Sequence, residues 1–288
     1  MDLFVQQVLS GLAVGGIYAS LALALVMIYQ ATEHVNFAQG AMAMFSTYIA
    51  WALIQAGLPY WIAFFATIAI SFAGGIVIER VVIRPIKGSV LSVVVVFIGL
   101  LILFESLAGW IFTYFQQTFP SPFPDIPVMG VNVQELSVIG VTLVVLVAVF
   151  AFFRFTPLGL AMRAAAQNPE SSALVGIHVG WMLALGWGLA AAIGAVAGMM
   201  VAPKLNLDPT MMGSVLIYAF AGALLGGITS PGGAVIGGFT VGVMENLIGT
   251  FVPFVGNELK LTFALILIIG VLVVRPSGLF GQVVVNRV

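Results

Sequence analysis

Five polar side chains interrupt stretches that are otherwise apolar. Glu105 reads as mid-span within Leu103-Phe104-Glu105-Ser106, and Glu245 lies with Asn246 within Val243-Met244-Glu245-Asn246. Asn36 and Gln39 lie in Val35-Asn36-Phe37-Ala38-Gln39-Gly40. An ionisable or amide group at membrane depth is costly, so it marks either a polar path or a hydrogen bond between helices. Both readings stand for Asn36, Gln39, Glu105, Glu245 and Asn246. Neither carboxylate has a Lys or Arg within its own stretch.

No catalytic constellation accompanies them. The chain has no Cys, which excludes disulfides, thiolate metal sites and cysteine nucleophiles. His34 and His178 are far apart and fall in no metal-ligand pattern. No HExxH, no paired Asp motif, no G-x-S-G and no GxxxxGK[ST] phosphate loop occurs. The expectation is a chain that is not an enzyme and binds no metal or cofactor. ATP and Mg, if used, would be handled by other chains.

The densest local signal is Thr156-Pro157 through Asn168-Pro169-Glu170 to Gly176-Ile177. Thr156 can cap a helix whose first residue is Pro157. Asn168 can cap a second, with Pro169 at its first position and Glu170 beside the positive dipole end. Gly176 suits the stop. A helix of about seven residues is marginal alone in water. Such careful encoding fits a docking element, or else a well-capped connector.

Composition sets the elements that must carry these groups. Of 288 residues 62% are hydrophobic and 7% charged, against roughly 25% charged in a soluble domain. There is no basic excess to meet nucleic acid, with 9 Lys+Arg against 10 Asp+Glu. At about 20 apolar residues per crossing, the expected fold is all-α. It is a polytopic membrane domain of about eight or nine helices spanning 1–288. Nine apolar segments are read at about 8–30, 35–56, 60–79, 89–115, 137–155, 181–203, 212–229, 231–252 and 258–275. Where separators are short, at Thr32-Glu33-His34 and Ser230-Pro231, broken or re-entrant helices are the alternative. The first segment lacks a basic lead and is about 23 residues long, so it reads as a retained span.

Nine crossings place Arg80, Arg84, Lys87, Arg154, Arg163, Arg275 and Arg287 on one side, leaving Lys204 and Lys260 on the other. The basic side is cytoplasmic by the positive-inside rule, with the N-terminus outside and the C-terminus cytoplasmic. The segment at about 116–136, with Pro120, Pro122, Pro124, Asp125, Pro127 and Glu135, becomes an ordered external loop that meets an external partner, or else a stiff connector. Glycines at Gly11/Gly15, Gly194/Gly198, Gly222/Gly226, Gly233/Gly237 and Gly238/Gly242 predict close helix contacts. Those around Ser230-Pro231 also suggest a tight hairpin inside the membrane, or a substrate passing close to bare backbone.

The segment Glu170-Ser171-Ser172-Ala173-Leu174-Val175-Gly176 resembles the EAA loop of bacterial ABC-importer permeases, with two serines replacing alanines. Gly159-Leu160-Ala161-Met162-Arg163-Ala164, Gly15-Gly16-Ile17-Tyr18-Ala19, Val35 to Gly40 and Gly226 to Gly238 together look like the LivH-type permeases of branched-chain amino-acid importers, a family that also includes amide and urea importers. The resemblance implies a homologous second permease, two cytoplasmic ATPase subunits and an extracytoplasmic substrate-binding protein, in a bacterial cytoplasmic membrane. It implies that about 157–176 is the coupling loop, with Arg163, Asn168, Pro169, Glu170, Leu174 and Gly176 at the ATPase contact. A stand-alone ion-coupled transporter using Glu105 and Glu245 is the rival.

Overall fold

The computed structural model describes residues 3–86, 90–124, 126–128, 131–254, 256 and 259–281. Lys87, Asp125 and Arg287 lie outside them. Eleven helices run in order among the described residues: α1 (Leu3–Thr32), α2 (Gln39–Gln55), α3 (Tyr60–Ile78), α4 (Val90–Ile111), α5 (Val133–Phe155), α6 (Pro157–Gln167), α7 (Pro169–Leu174), α8 (Val179–Leu205), α9 (Met212–Gly226), α10 (Pro231–Phe251) and α11 (Lys260–Val274). A π-helical turn, Glu79–Ile83, extends α3. Two-residue strands β1 (Pro127–Val128) and β2 (Val131–Asn132) make a small antiparallel hairpin.

Each of the nine apolar segments carries a helix. Six of these are long and apolar enough to cross a membrane: α1, α3 with its π turn, α4, α5, α8 and α10. The protein is therefore a polytopic helical membrane protein. Helices α2, α9 and α11 have 17, 15 and 15 residues. At 1.5 Å per residue the two shorter ones reach about 22 Å, less than a hydrocarbon core of about 30 Å.

The chain forms two compact units, one of Met1–Val26, Phe123–Gly140 and Gly213–Val288, the other of Met27–Pro122 and Val141–Met212. In the first, glycines let backbones meet. A Cβ on Gly11 would lie 2.8 Å from Val243 Cα, and one on Gly15 2.9 Å from Phe239 Cα. On α10, Gly238 and Gly242 face Ala19 and Gly15 of α1, while Gly233 and Gly237 face Gly226 and Gly222 of α9. Helix α10 thus uses small residues on two faces. Gly227, at φ +110°, turns the chain between α9 and α10, and Ser230 Oγ caps α10 by accepting from Gly233 N at 3.1 Å. Helices α9 and α10 are therefore joined by a tight turn. Carbonyls at the end of α9 accept from Leu279 and Phe280 N–H at 2.8 and 3.0 Å, so the break leaves them partnered.

In the second unit α8 packs against α3 and α2. A Cβ on Gly188 would lie 2.8 Å from Phe72 O, and one on Gly198 2.8 Å from Ala43 O. Trp187 is fully buried and its ring lies 5.9 Å from that of Phe97 on α4. Apolar side chains exposed along α4, among them Leu91, Val95, Ile98 and Ile102, are what lipid would cover.

Candidate functional site

The segment between α5 and α8 folds as its capping residues require. Thr156 Oγ1 accepts from Gly159 N at 3.0 Å, with Pro157 starting α6. Asn168 Oδ1 accepts from Ser171 N at 2.9 Å, with Pro169 starting α7. Helix α7 is six residues long, close to the seven expected. Gly176 follows at φ +87°, its N–H donating to Ala173 O, while Ile177 N donates to Ser172 O at 3.0 Å. Both orphan ends of so short a helix are thus satisfied.

Helix α6 is amphipathic. Gly159, Met162 and Ala165 are buried, and a Cβ on Gly186 of α8 would touch Met162 Cε at 3.8 Å. Arg163 is exposed on the other side. Asn168, Pro169, Glu170 and Gly176 are exposed as well. At the tip, Leu174 is 88% exposed and Val175 76%. Two apolar side chains held out on a capped helix gain nothing within the chain, so they suit a partner surface.

Asn36 and Gln39 are fully buried. Asn36 Oδ1 accepts from Ala38 N at 3.0 Å, turning the chain into α2, and its Nδ2 approaches Gln39 Oε1 at 3.4 Å. Gln39 Nε2 donates to Ala190 O of α8 at 2.9 Å. Gln39 thus bridges α2 to α8, while Asn36 holds the turn that leads into α2. A Cβ on Gly194 would lie 2.8 Å from Gln39 Nε2.

Glu245, on α10, accepts from the Tyr18 hydroxyl of α1 at 2.7 Å. Tyr18 stacks on Tyr218 of α9 with ring centroids 5.0 Å apart. Asn246 Nδ2 donates to Gln7 O at 3.1 Å. The carboxylate therefore joins a polar and aromatic knot among three helices. The tyrosines carried no role in the sequence reading, because nothing local pairs residues 18, 218 and 245.

Glu105 is not at mid-helix. Helix α4 stops at Ile111, where about 115 was expected, so Glu105 lies within two turns of its end. There it lines a cavity of about 540 Å³ with Ser106, Tyr114, Gln116, Asp208, Pro209 and Thr210. Gln117 and Leu207 pair backbones beside it, N to O 2.8 Å both ways. Asp208 Oδ1 accepts from Thr210 N and Oγ1, both at 2.8 Å. The cavity has the size of a small-ligand pocket, and two of its lining side chains are carboxylates. It lies beyond the C-terminal end of α8, about 40 Å along that helix from α7. Asp208 was missed, though Leu207-Asp208-Pro209-Thr210 carries a turn signature. Among the described residues no three His, Cys, Asp or Glu side chains are grouped to hold a metal.

Comparison with known proteins follows the same direction. The sequence model of a family described as "Branched-chain amino acid transport system / permease component" matches residues 7–272. The chain is 30% identical, over 99% of its length and 98% of the relative's, to the high-affinity branched-chain amino acid transport system permease protein LivH of Escherichia coli (strain K12). It is 31% identical, at the same coverage, to the corresponding permease protein BraD of Pseudomonas aeruginosa. A chain in the solved complex of PsaBC from Streptococcus pneumoniae with Fab superposes with a TM-score of 0.53 at 13% identity, covering 96% of this chain and 94% of that one. That likeness is one of fold.

Proposed function

This chain belongs to the permease-component family of branched-chain amino acid transport systems, and we propose from that premise that it is the membrane subunit of a binding-protein-dependent ABC importer. It moves branched-chain, hydrophobic amino acids across a bacterial cytoplasmic membrane. ATP and Mg bind to two separate ATPase subunits; the chain itself holds no cofactor. A homologous second permease and an extracytoplasmic binding protein complete the assembly. The whole of 1–288 works as one permease domain of about eight or nine membrane helices, some of them broken or re-entrant, with the N-terminus outside.

The observation that carries this reading is the exposed apolar tip of α7, presented by a helix capped at both ends. Arg163, Asn168, Pro169, Glu170, Leu174 and Gly176 form or shape the surface that docks into an ATPase. ATP-driven closure of the ATPase pair then pulls this loop and swings the spans between outward- and inward-facing states. On the opposite side the Glu105 and Asp208 cavity receives the substrate's ammonium end. Asn36, Gln39, Glu245 and Asn246 belong to contacts that rearrange as the path opens. Urea or short amides are the alternative substrates within the same family.

The test is purification of the tagged chain from its native membrane. ATPase subunits should come with it, and vesicles containing the complex should take up leucine only with internal ATP and external binding protein. Uptake by the chain alone, driven by an ion gradient, would establish the secondary-transporter reading instead.

A further inference from the structure

At the end of α3 the helix takes in one extra residue. Arg84 N donates to Glu79 O at 2.7 Å, closing a π turn over Glu79–Ile83, and Pro85 then ends the helix. In a plain α-helix residues five apart lie about 140° around the axis. The π turn removes most of that offset and sets Arg84 beside Glu79. The guanidinium grips the carboxylate with both ends, Nε to Oε1 at 3.1 Å and Nη2 to Oε2 at 2.8 Å. Glu79 is 4% exposed, so this carboxylate depends on its partner.

The same Nη2 also donates to Gly180 O, in the first turn of α8. A Cβ on Gly180 would sit 3.3 Å from the guanidinium, close enough that the fork would have to shift by a few tenths of an ångström. One residue on, the Arg80 guanidinium lies 3.2 Å from the ring centre of Trp181. Two arginines of α3 therefore hold two consecutive residues, Gly180 and Trp181, where the chain returns from α7. Only residues 175–179 separate the exposed Leu174 from this grip. The carboxylate is buried but the Arg84 side chain is 41% exposed, so solvent screens the pair and its net stability is small; π turns recur where a helix must act rather than merely stand.

We propose that Glu79, Arg80 and Arg84 form the joint that passes movement of the 157–178 loop into α3 and α8. The inference rests on the docking role given to α7. These are positioning residues, since none touches substrate or nucleotide. Through Gly180 and Trp181, a pull on α7 reaches α8 at its first turn and α3 at its last. Breaking the joint should leave ATPase docking intact and disconnect it from the spans.

The experiment uses the whole complex, purified through this chain and placed in vesicles, with three readouts: co-purified ATPase, ATP hydrolysis, and substrate taken up per ATP hydrolysed. The paired variant Glu79→Gln with Arg84→Gln avoids leaving a lone buried carboxylate. It should keep its ATPase and its hydrolysis while uptake per ATP falls on the order of tenfold. Arg84→Lys keeps the charge but loses the fork, and should restore part of the uptake. Arg80→Gln, which leaves the ion pair whole, gives the same direction of change should the paired variant fail to accumulate. Unchanged uptake per ATP, or ATPase lost in step with uptake, overturns the joint. A native complex that yields no ATPase at all overturns the docking reading beneath it, a separate and earlier result.

Discussion

Leu174→Ala separates docking from folding, because Leu174 is 88% exposed in the chain alone. The substitution removes three carbons that are almost wholly exposed in the chain alone. Its effect on the chain's own stability should stay within about 0.5 kcal/mol. If the side chain is buried in an ATPase groove, those carbons contribute about 2 kcal/mol at roughly 0.8 kcal/mol each. That corresponds to about a 30-fold weaker docking constant. The assay is titration of the purified ATPase against the permease complex in nanodiscs, with Ile266→Ala as control, since Ile266 on α11 is 61% exposed and far along the chain from the loop. Leu174→Asp should weaken docking further, because it desolvates a charge as well. Equal affinity for the native chain and Leu174→Ala would refute the argument that α7 is built to be covered by a partner.

Asn168→Ala removes the side chain that accepts from Ser171 N; it should cost about 1 kcal/mol of helix stability and weaken ATPase association, and Asn168→Asp or Asn168→Ser should restore it. Normal association in Asn168→Ala would remove the cap from the account. Gly222→Ala puts a Cβ 2.7 Å from Gly238 Cα, where only backbone can yield, so the membrane yield of folded chain should collapse. Ordinary yield would show that α9 and α10 can separate at little cost. Tyr18→Phe removes a donor to Glu245 and should lower stability by about 1.5–3 kcal/mol, read by heat unfolding in nanodiscs; an unchanged midpoint would mean the bond contributes nothing. Glu105→Gln halves the formal charge of the cavity it shares with Asp208; uptake should weaken in apparent affinity yet stay ATP-dependent, whereas loss of ion coupling would favour the rival transporter.

What could be read from the sequence was what is decided within a few residues. Thr156, Asn168 and Gly176 fix α6 and α7 through bonds reaching three or four positions, so the loop was legible before its surroundings were known. The glycine pairs were legible as faces, since four residues make about one turn. Their partners were not: α10 turns Gly233 and Gly237 to α9 but Gly238 and Gly242 to α1, and no spacing says which. Glu105 was misplaced because Phe112, Tyr114 and Phe115 continue the apolar run after the helix has stopped at Ile111. Hydropathy measures the composition of a stretch and not the point where its backbone leaves the helix.

The joint at α3 was hidden for a related reason. Glu79 and Arg84 stand five apart, a spacing that an α-helix splays. Arg84 marks only topology in the sequence and Glu79 carries no reading there; the π turn makes them a pair. The local departure from regular helix therefore has a stated consequence: without it Arg84 could not reach Glu79 and Gly180 together. An insertion or deletion of one residue within 79–84 should abolish coupling even if every charged side chain is kept. That places the function of this segment in the helix geometry as much as in its residues, which Glu79→Asp can probe. It keeps the charge but withdraws the carboxylate by about one methylene from a grip now 2.8 Å long, so uptake per ATP should fall while ATPase docking persists. Unimpaired uptake would mean the joint tolerates slack, and the transmission argued here would fail with it.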